Sequence, residues 1–369
     1  MGRILFISNH AGFSKFNAPY MKWFKEKGWV VDNISPGIEI DEYIDKQYDV
    51  AMTRNPLTIK NIIAYKKIKK IISKNNYLIV HCHTPVGGVL GRLCSIKARK
   101  NGMSVIYTAH GFHFFRGSSK LAWLLYYNIE KMLAKHSDCI ITINQEDFLL
   151  ALANFHIANI HRINGVGVNL LKFKPVDRET KSALRHTFGF RDTDFILIYV
   201  AQFIERKNHV FLINQVLQLR NKIDKLRILF LGSGPLMEKC ETLVENLLLR
   251  EHVKFMGYRT DLDGLYQLSD VVVSVSSQEG LPMNIPEGMA CGLPVVCSKI
   301  RGHVDTVKPL VNGFLFKLGD GEEMSDYVYK LYIDKHIRKV ISKQNIIDVE
   351  QFSVVNSVNA MAEIYQQYM

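Results

Sequence analysis

The sequence predicts an α/β protein of two doubly wound, Rossmann-like domains, and three observations carry that prediction. At 369 residues, 47% hydrophobic and 22% charged, the chain has ordinary globular composition and the length of two domains. Short apolar runs alternate with stretches of helical periodicity in two successive blocks. Most of those runs exit into a polar or glycine-rich segment, where ligands bind in a doubly wound sheet.

In the first block the strand-like runs are RILFIS, YDVAM, YLIVHCH, SVIYTAH and CIITIN, with apolar residues at helical spacing over Asn61–Ser73. NGVGVNLLKFKPVDRETK, residues 164–181, breaks the periodicity with glycines and Pro175 and reads as the linker. It separates a first domain, 1–168, from a second, 182–350. The second block offers FILIYVA, RILFLG, VKFMG, VVVSVS and PVVCS, with a helical pattern over Leu236–Leu249. The exits worth inspecting are SNHAGF, HCHTPVGG and TAHGFHFFRG in the first block, and AQFIERKNH, GSGPL, GYRTD and SSQEGLP in the second.

Several classes fall away early. No apolar run approaches the roughly 18–20 residues of a membrane span, and the opening residues carry no signal-peptide pattern. The six cysteines are scattered without C-x-x-C spacing, as in a cytosolic protein with reduced thiols. His81 and His83 share one strand face without a second ligand pair, so a metal is not expected there. GSGPLM has Met237 where a dinucleotide fingerprint needs glycine, and no phosphate-loop motif occurs.

The stretch SSQEGLPMNIPEGMACGLPVV holds Glu279 and Glu287 eight positions apart around a Gly-Leu-Pro turn into a helix ending near Cys291. Amides at such a helix start suit a phosphate, and a carboxylate on either side suits hydroxyl donors. A ligand ordered as sugar hydroxyls, diphosphate and ribose diol, a nucleotide sugar, fits that sequence. Spacing alone leaves a second reading open, that both acids merely favour the helix dipole. Arg206 and Lys207, just beyond a strand, are cations able to hold a departing diphosphate. Gly232 and Gly234 allow a close backbone approach.

These residues stand in stretches that resemble the donor-binding half of family 4 retaining glycosyltransferases: GSGPL, FMGYRTDLDGLYQLSDVVVSVSSQEGLPMNIPEGMACGLPVV and IRGHVD…VNGFLF. Glu279 and Glu287 match that family's E-x7-E motif. TRNPLTIKNIIAYKKIKKII, HCHTPVGGVLGRL and YTAHGFHFFRG…YYNIEKMLAKHSDCIITINQEDF are similar to the bacterial group that builds capsule and exopolysaccharide. The likeness covers nearly the whole chain. One departure is Ala201-Gln202, where the family has Gly-Arg or Gly-Glu, which leaves the charge to Arg206 and Lys207.

The resemblance implies the GT-B fold, two Rossmann-like domains facing each other across a cleft, with a helix over about 352–369 returning to the first. It implies a retaining, metal-independent transfer from a nucleotide sugar, a UDP-sugar, by front-face attack with no protein nucleophile. His110 would lie near the reacting sugar, with His83 and His113 as weaker candidates. Arg206, Lys207 and the amides of Gly280 and Leu281 would hold the phosphates. Glu279 would take sugar hydroxyls, and Glu287 the ribose diol. Gly232, Gly234 and Asn284 would line the nucleotide. The nucleotide sugar is a co-substrate, and no cofactor is expected. The acceptor would be a saccharide on polyprenyl diphosphate at the inner face of the cytoplasmic membrane.

The charge distribution bears on that acceptor. Of the formal net charge of +12, residues 1–170 carry 22 Lys and Arg against 11 Asp and Glu, a net of +11; the remainder carries 25 against 24. Lys66, Lys67, Lys69, Lys70 and Lys74, and Lys22, Lys25 and Lys27 interleaved with Trp23, Phe24 and Trp29, suit docking on an anionic membrane. The competing classes are a nucleotide-sugar epimerase on the same fold, a non-catalytic sugar-nucleotide sensor, and a nucleic-acid binder. The last lacks any recognised module.

Overall fold

The computed structural model of the chain describes residues 2–38, 41–53 and 58–369. It divides into two compact units, Met1–Gly167 together with Val354–Met369, and Val168–Ser353.

The first unit holds seven parallel strands: β1 (Arg3–Ile7), β2 (Val30–Ser35), β3 (Lys46–Asp49), β4 (Ile79–His83), β5 (Ser104–Ala109), β6 (Cys139–Thr142) and β7 (Asn159–Arg162). Their spatial order is β3-β2-β1-β4-β5-β6-β7, so the winding reverses between β1 and β4. The helices are α1 (Ser14–Glu26), α2 (Ile59–Lys74), α3 (Pro85–Arg99), α4 (Lys120–Ala122), α5 (Asn128–Ala134) and α6 (Gln145–Asn154). Both faces of the sheet are covered, which explains the near-continuous apolar runs of β1, β4 and β6. α6 starts where the Asn144 side chain accepts the Asp147 amide at 2.8 Å.

A last helix, Val354–Gln366, belongs to this unit. Its Tyr365 is buried and bonds His81 Nδ1 at 2.6 Å, while Ser357 Oγ donates to Gly165 O at 2.6 Å and lies 2.6 Å from Tyr20 Oη. The aromatic residues of α1 serve this packing. Trp23, half-buried, stacks on Tyr365 at 5.9 Å, and Phe24 and Trp29 are buried, so these last two offer no free face beside Lys22, Lys25 and Lys27. The lysines of α2, Lys66, Lys67, Lys69, Lys70 and Lys74, are exposed opposite its buried Asn61, Ala64, Ile68 and Ile72. Arg54 to Leu57, quoted above in the resemblance, lie outside the described residues.

The second unit holds β8 (Phe195–Val200), β9 (Leu226–Leu231), β10 (Val253–Phe255), β11 (Val271–Ser274), β12 (Val295–Ser298) and β13 (Gly313–Phe316), all parallel, in the order β10-β9-β8-β11-β12-β13. Here the winding reverses between β8 and β11. The helices are α7 (Arg178–Thr187), α8 (His209–Lys222), α9 (Met237–Asn246), α10 (Leu262–Leu268), α11 (Asn284–Ala290), α12 (His303–Thr306), α13 (Gly321–Ile333) and α14 (Lys335–Asp348). The reading of 164–181 as a linker reaches too far. Val168 bridges to Ser353, Phe173 is buried, and Lys181 Nζ lies 2.9 Å from Asp270, so residues 168–181 are part of this unit. Glycine and proline ended the periodicity there without ending the packing.

Candidate functional site

The second unit gathers charge at its winding reversal. Beyond β8, Glu205–Lys207 form a 3₁₀ turn that closes on Asn208, held at φ 55° in the left-handed region that asparagine tolerates. Buried Tyr199 on β8 pins the turn by donating its hydroxyl to Lys207 O at 2.7 Å. Ser277, beyond β11, donates its amide to Arg206 O at 2.8 Å. The two strand exits are thereby fixed to each other, and Glu279 on the second meets both cations of the first.

Glu279 is buried. Its carboxylate accepts from Lys207 Nζ and, at 3.2 Å, from Arg206 Nη1, which also donates to Gln278 O at 3.1 Å. Burial pushes the Glu279 carboxyl up, but the Lys207 ammonium outweighs it and holds the group below its ordinary value. Glu279, Arg206 and Lys207 therefore form one ion cluster, where separate contacts to sugar and phosphate were expected. Arg301 was missed by sequence reasoning: buried, it donates Nε to Glu279 O at 3.0 Å. His303, also unassigned, is buried on Ser274 Oγ at 3.1 Å and Ser298 O at 2.7 Å. Both stand in IRGHVD, a stretch quoted for the resemblance without a role.

α11 begins at Asn284, so Gly280 and Leu281 belong to the preceding loop, and their amides take no protein acceptor among the described residues. Asn284 Nδ2 is a buried donor without a partner among the described residues. One turn on, Glu287 accepts from Tyr266 Oη at 3.1 Å. Burial raises its carboxyl to about 7, only partly offset by that hydrogen bond. Gly232 and Gly234 have a structural reason of their own. A Cβ at 232 would sit 2.1 Å from Ala201 O, and one at 234 would sit 2.6 Å from Phe203 O. Their close approach is to the β8 exit, and it needs no ligand to explain it.

The first unit gathers histidines at the carboxyl ends of β4 and β5. His110 Nε2 lies 3.1 Å from His83 Nδ1, and the Phe13 and His110 rings pack in a T-shape with centres 5.0 Å apart. Burial lowers His110 to about 4 and His81 to about 3, so both are neutral at ordinary pH. With Nε2 engaged by His83, Nδ1 is the His110 nitrogen left for a ligand. His83 Nε2 is buried without a partner among the described residues. His113 stands apart, exposed beside Tyr126 at 5.0 Å.

Among the described residues no group of three or more His, Cys, Asp or Glu is placed to hold a metal. The sequence contains two Asp-x-Asp spacings, Asp192/Asp194 and Asp261/Asp263, which corrects the expectation that none occurs. Each has other partners: Asp192 takes Ser182 Oγ at 2.9 Å, Asp194 the Arg191 amide at 2.8 Å, Asp261 Arg259 Nε at 2.8 Å, and Asp263 lies 3.5 Å from Lys172.

Comparison with known proteins agrees with this layout. Residues 180–347 match the family model described as glycosyl transferases group 1, and residues 3–144 that described as glycosyl transferase 4-like. The putative glycosyltransferase EpsD of Bacillus subtilis is 40% identical over 358 residues, 97% of this chain and 94% of that protein. An Escherichia coli enzyme named UDP-Gal:alpha-D-GlcNAc-diphosphoundecaprenol alpha-1,3-galactosyltransferase is 28% identical over 350 residues, 92% of this chain and 87% of that one. Sucrose-phosphate synthase of Thermosynechococcus elongatus superimposes with a TM-score of 0.85 at 21% identity, covering 100% of this chain and 99% of that one. Anabaena HepE, solved with UDP and glucose, gives 0.82 at 19% identity over the full length of both. With two parallel-sheet units, charge gathered where the winding reverses, and this set of relatives, the chain belongs to the family 4-type glycosyltransferases of the GT-B fold.

Proposed function

We propose that this glycosyltransferase moves a sugar, with retention and without a metal, from a UDP-sugar to a saccharide carried on polyprenyl diphosphate. The setting is capsule or exopolysaccharide assembly at the inner face of the cytoplasmic membrane. The observation that carries the reading is the buried Glu279 bearing Lys207 and Arg206, set beside the open amides of Gly280 and Leu281 and the unpartnered Asn284 Nδ2. Two cations and free donors around one buried carboxylate suit a ligand that is anionic in part and rich in hydroxyls. The names of the Escherichia coli relative and of a Campylobacter jejuni relative, 24% identical over 371 residues, both specify diphospho-undecaprenol acceptors.

In this mechanism the bond from the anomeric carbon to the departing phosphate oxygen breaks while the acceptor oxygen bonds to the same face. The acceptor's proton passes to the departing oxygen. Lys207 and Arg206 turn part of their charge from Glu279 to that oxygen as it becomes anionic, and the Gly280 and Leu281 amides add to it. Glu279 accepts sugar hydroxyls and keeps both cations in place. His110, neutral, keeps Nδ1 available for a sugar hydroxyl. A product of inverted anomeric configuration by NMR, or loss of turnover in EDTA, overturns the retaining, metal-free mechanism. A panel of UDP-, GDP- and ADP-sugars, read first by thermal shift and then by turnover on a lipid-diphosphate acceptor, tests the donor and the acceptor.

Glu287 makes a pH prediction. A ribose diol donates to a carboxylate, so binding favours the charged form of a group poised at about 7. Nucleotide affinity should rise with pH through that value, with a proton released on binding. Glu287→Gln should bind more weakly and flatten the profile, by titration calorimetry in buffers of different ionisation enthalpy. Stability runs the other way. A carboxyl raised from 4.5 to about 7 stabilises the fold below its unfolded value, and that stabilisation is lost as pH rises through about 7. The unliganded Gln variant should therefore resist denaturant better than wild type in alkali. Equal nucleotide affinity in both proteins would remove Glu287 from the ribose site.

A further inference from the structure

The helical run 120–134 is apolar on two faces, and the fold uses only one of them. Ser119 caps it, its hydroxyl accepting the Ala122 amide at 3.2 Å. Its middle, Trp123–Tyr127, is a π-helical turn, a feature that often marks functional segments. Inward, Trp123, Tyr127, Leu133 and Ala134 pack on the core of the first unit, and Tyr127 donates to Asn154 Oδ1 at 3.0 Å. Outward, Leu121 and Leu124 are 62% and 64% exposed, and Leu125, Ile129 and Met132 continue the same stripe. Positions 121, 124, 125, 129 and 132 have the spacing of a buried helix face. Single exposed apolar residues need no explanation, but a contiguous stripe does.

The exposed charges on the segment that carries the stripe are of one sign. Arg116, Lys120, Lys131 and Lys135 are exposed. Glu130, the only acid between 115 and 135, is buried against Arg92, 2.8 Å from its Nη2. Within the run the exposed charges are therefore all cationic; the half-buried Glu146, which accepts the Arg116 amide at 2.6 Å, is an acid at its N-terminal border. A second copy docked stripe to stripe would bring like charges together. An anionic bilayer accepts both components, side chains at the acyl boundary and cations at the phosphates. α2 lends support, since it and α5 both pack on α3 and it exposes Ile59, Ile62 and Ile63 beside its lysines.

We propose that the 120–134 run is an interfacial helix that lays its Leu121–Met132 stripe into an anionic lipid surface, with the α2 lysines adding attraction at longer range. The inference rests on the reading that the acceptor is a membrane lipid, and it moves the principal membrane contact from the lysines of α2 to this stripe.

The six native cysteines are all buried, so a Leu125→Cys variant can carry one environment-sensitive fluorophore on the stripe. Phosphatidylglycerol-rich vesicles should shift its emission to the blue, and phosphatidylcholine vesicles should not. Leu124→Ser/Leu125→Ser/Ile129→Ser should lower vesicle affinity by about a hundredfold, yet keep turnover on a water-soluble acceptor analogue, which shows an intact fold. Reversal of Lys66, Lys67, Lys69 and Lys70 to Glu should weaken binding at low salt and leave the stripe's share at high salt. Vesicle binding by wild type with an unmoved label, or undiminished binding by the serine variant, overturns the helix assignment and leaves the membrane reading standing. A wild type that binds no vesicle yet turns over the soluble acceptor overturns both. A blue shift that follows protein concentration without lipid identifies a second copy as the occupant and overturns the proposal.

Discussion

Lys207→Ala should lower kcat/KM by roughly 30- to 1,000-fold, about 2–4 kcal/mol of transition-state stabilisation, the scale of one charge-assisted contact in a closed site. Two roles of Lys207 could produce such a loss, and they separate experimentally. If Lys207 only neutralises Glu279, its removal should add nothing in a Glu279→Gln background. If it also meets the departing phosphate, the loss should persist there. A double-mutant cycle on kcat/KM reads the difference directly. Arg206, 3.2 Å from the same carboxylate, keeps Glu279 partly paired, so the single variant should fold and bind nucleotide. Activity within a few-fold of wild type would show that the ammonium serves the fold alone.

Arg92→Met should destabilise the first unit by about 3–5 kcal/mol, the range for removing one partner of a buried ion pair. Arg92 on α3 is fully buried, donates Nε to Gly88 O at 2.9 Å, and lies with its guanidinium 3.9 Å from the Tyr107 ring centre. Its Nη2 is 2.8 Å from Glu130 Oε2 but off the hydrogen-bond axis, and Tyr107 donates to Glu130 Oε1 at 3.2 Å. Without the guanidinium, Glu130 is an uncompensated buried charge. Arg92→Met/Glu130→Leu should recover most of the loss. The three tryptophans, Trp23, Trp29 and Trp123, all lie in the first unit. Urea denaturation followed by their fluorescence therefore reports on that unit alone. An unchanged midpoint in Arg92→Met would mean that solvent reaches Glu130 after all.

The strands were legible where apolar residues run together, as in β1, β4, β8, β9 and β11. β2 was not, because VVDNIS buries Asp32, Asn33 and Ser35. Asp32 is held through Oδ2, which Arg3 Nη2 reaches at 2.8 Å and Tyr77 Oη at 2.5 Å, partners that no local pattern announces. β3 stops at Asp49, ahead of the apolar residues that marked YDVAM as a strand. Edge strand β7, half exposed, carries almost no apolar signal. At the site the charged residues stood out singly, each at a strand exit. Their pairing did not, since Lys207 and Glu279 are 72 residues apart and meet only because β8 and β11 are neighbours. Glycines 232 and 234 signalled close approach correctly but not what is approached. The apolar stripe over 121–132 could not be told from core by sequence, because helical spacing does not say which face is inside.

The return of Val354–Gln366 to the first unit orders events on the ribosome. Residues 168–353 are one contiguous stretch and can assemble as soon as they leave the exit tunnel. The first unit, although made earlier, must wait without the Ser357 contact to Tyr20 and the Tyr365 bond to His81 until Ser357 and Tyr365 emerge after the whole of the second. His81 is thus completed last among the histidines of β4 and β5. A nascent chain stalled before residue 354 would hold a finished second unit tethered to an unfinished first, open to chaperones and proteases and without the Tyr365 bond to His81.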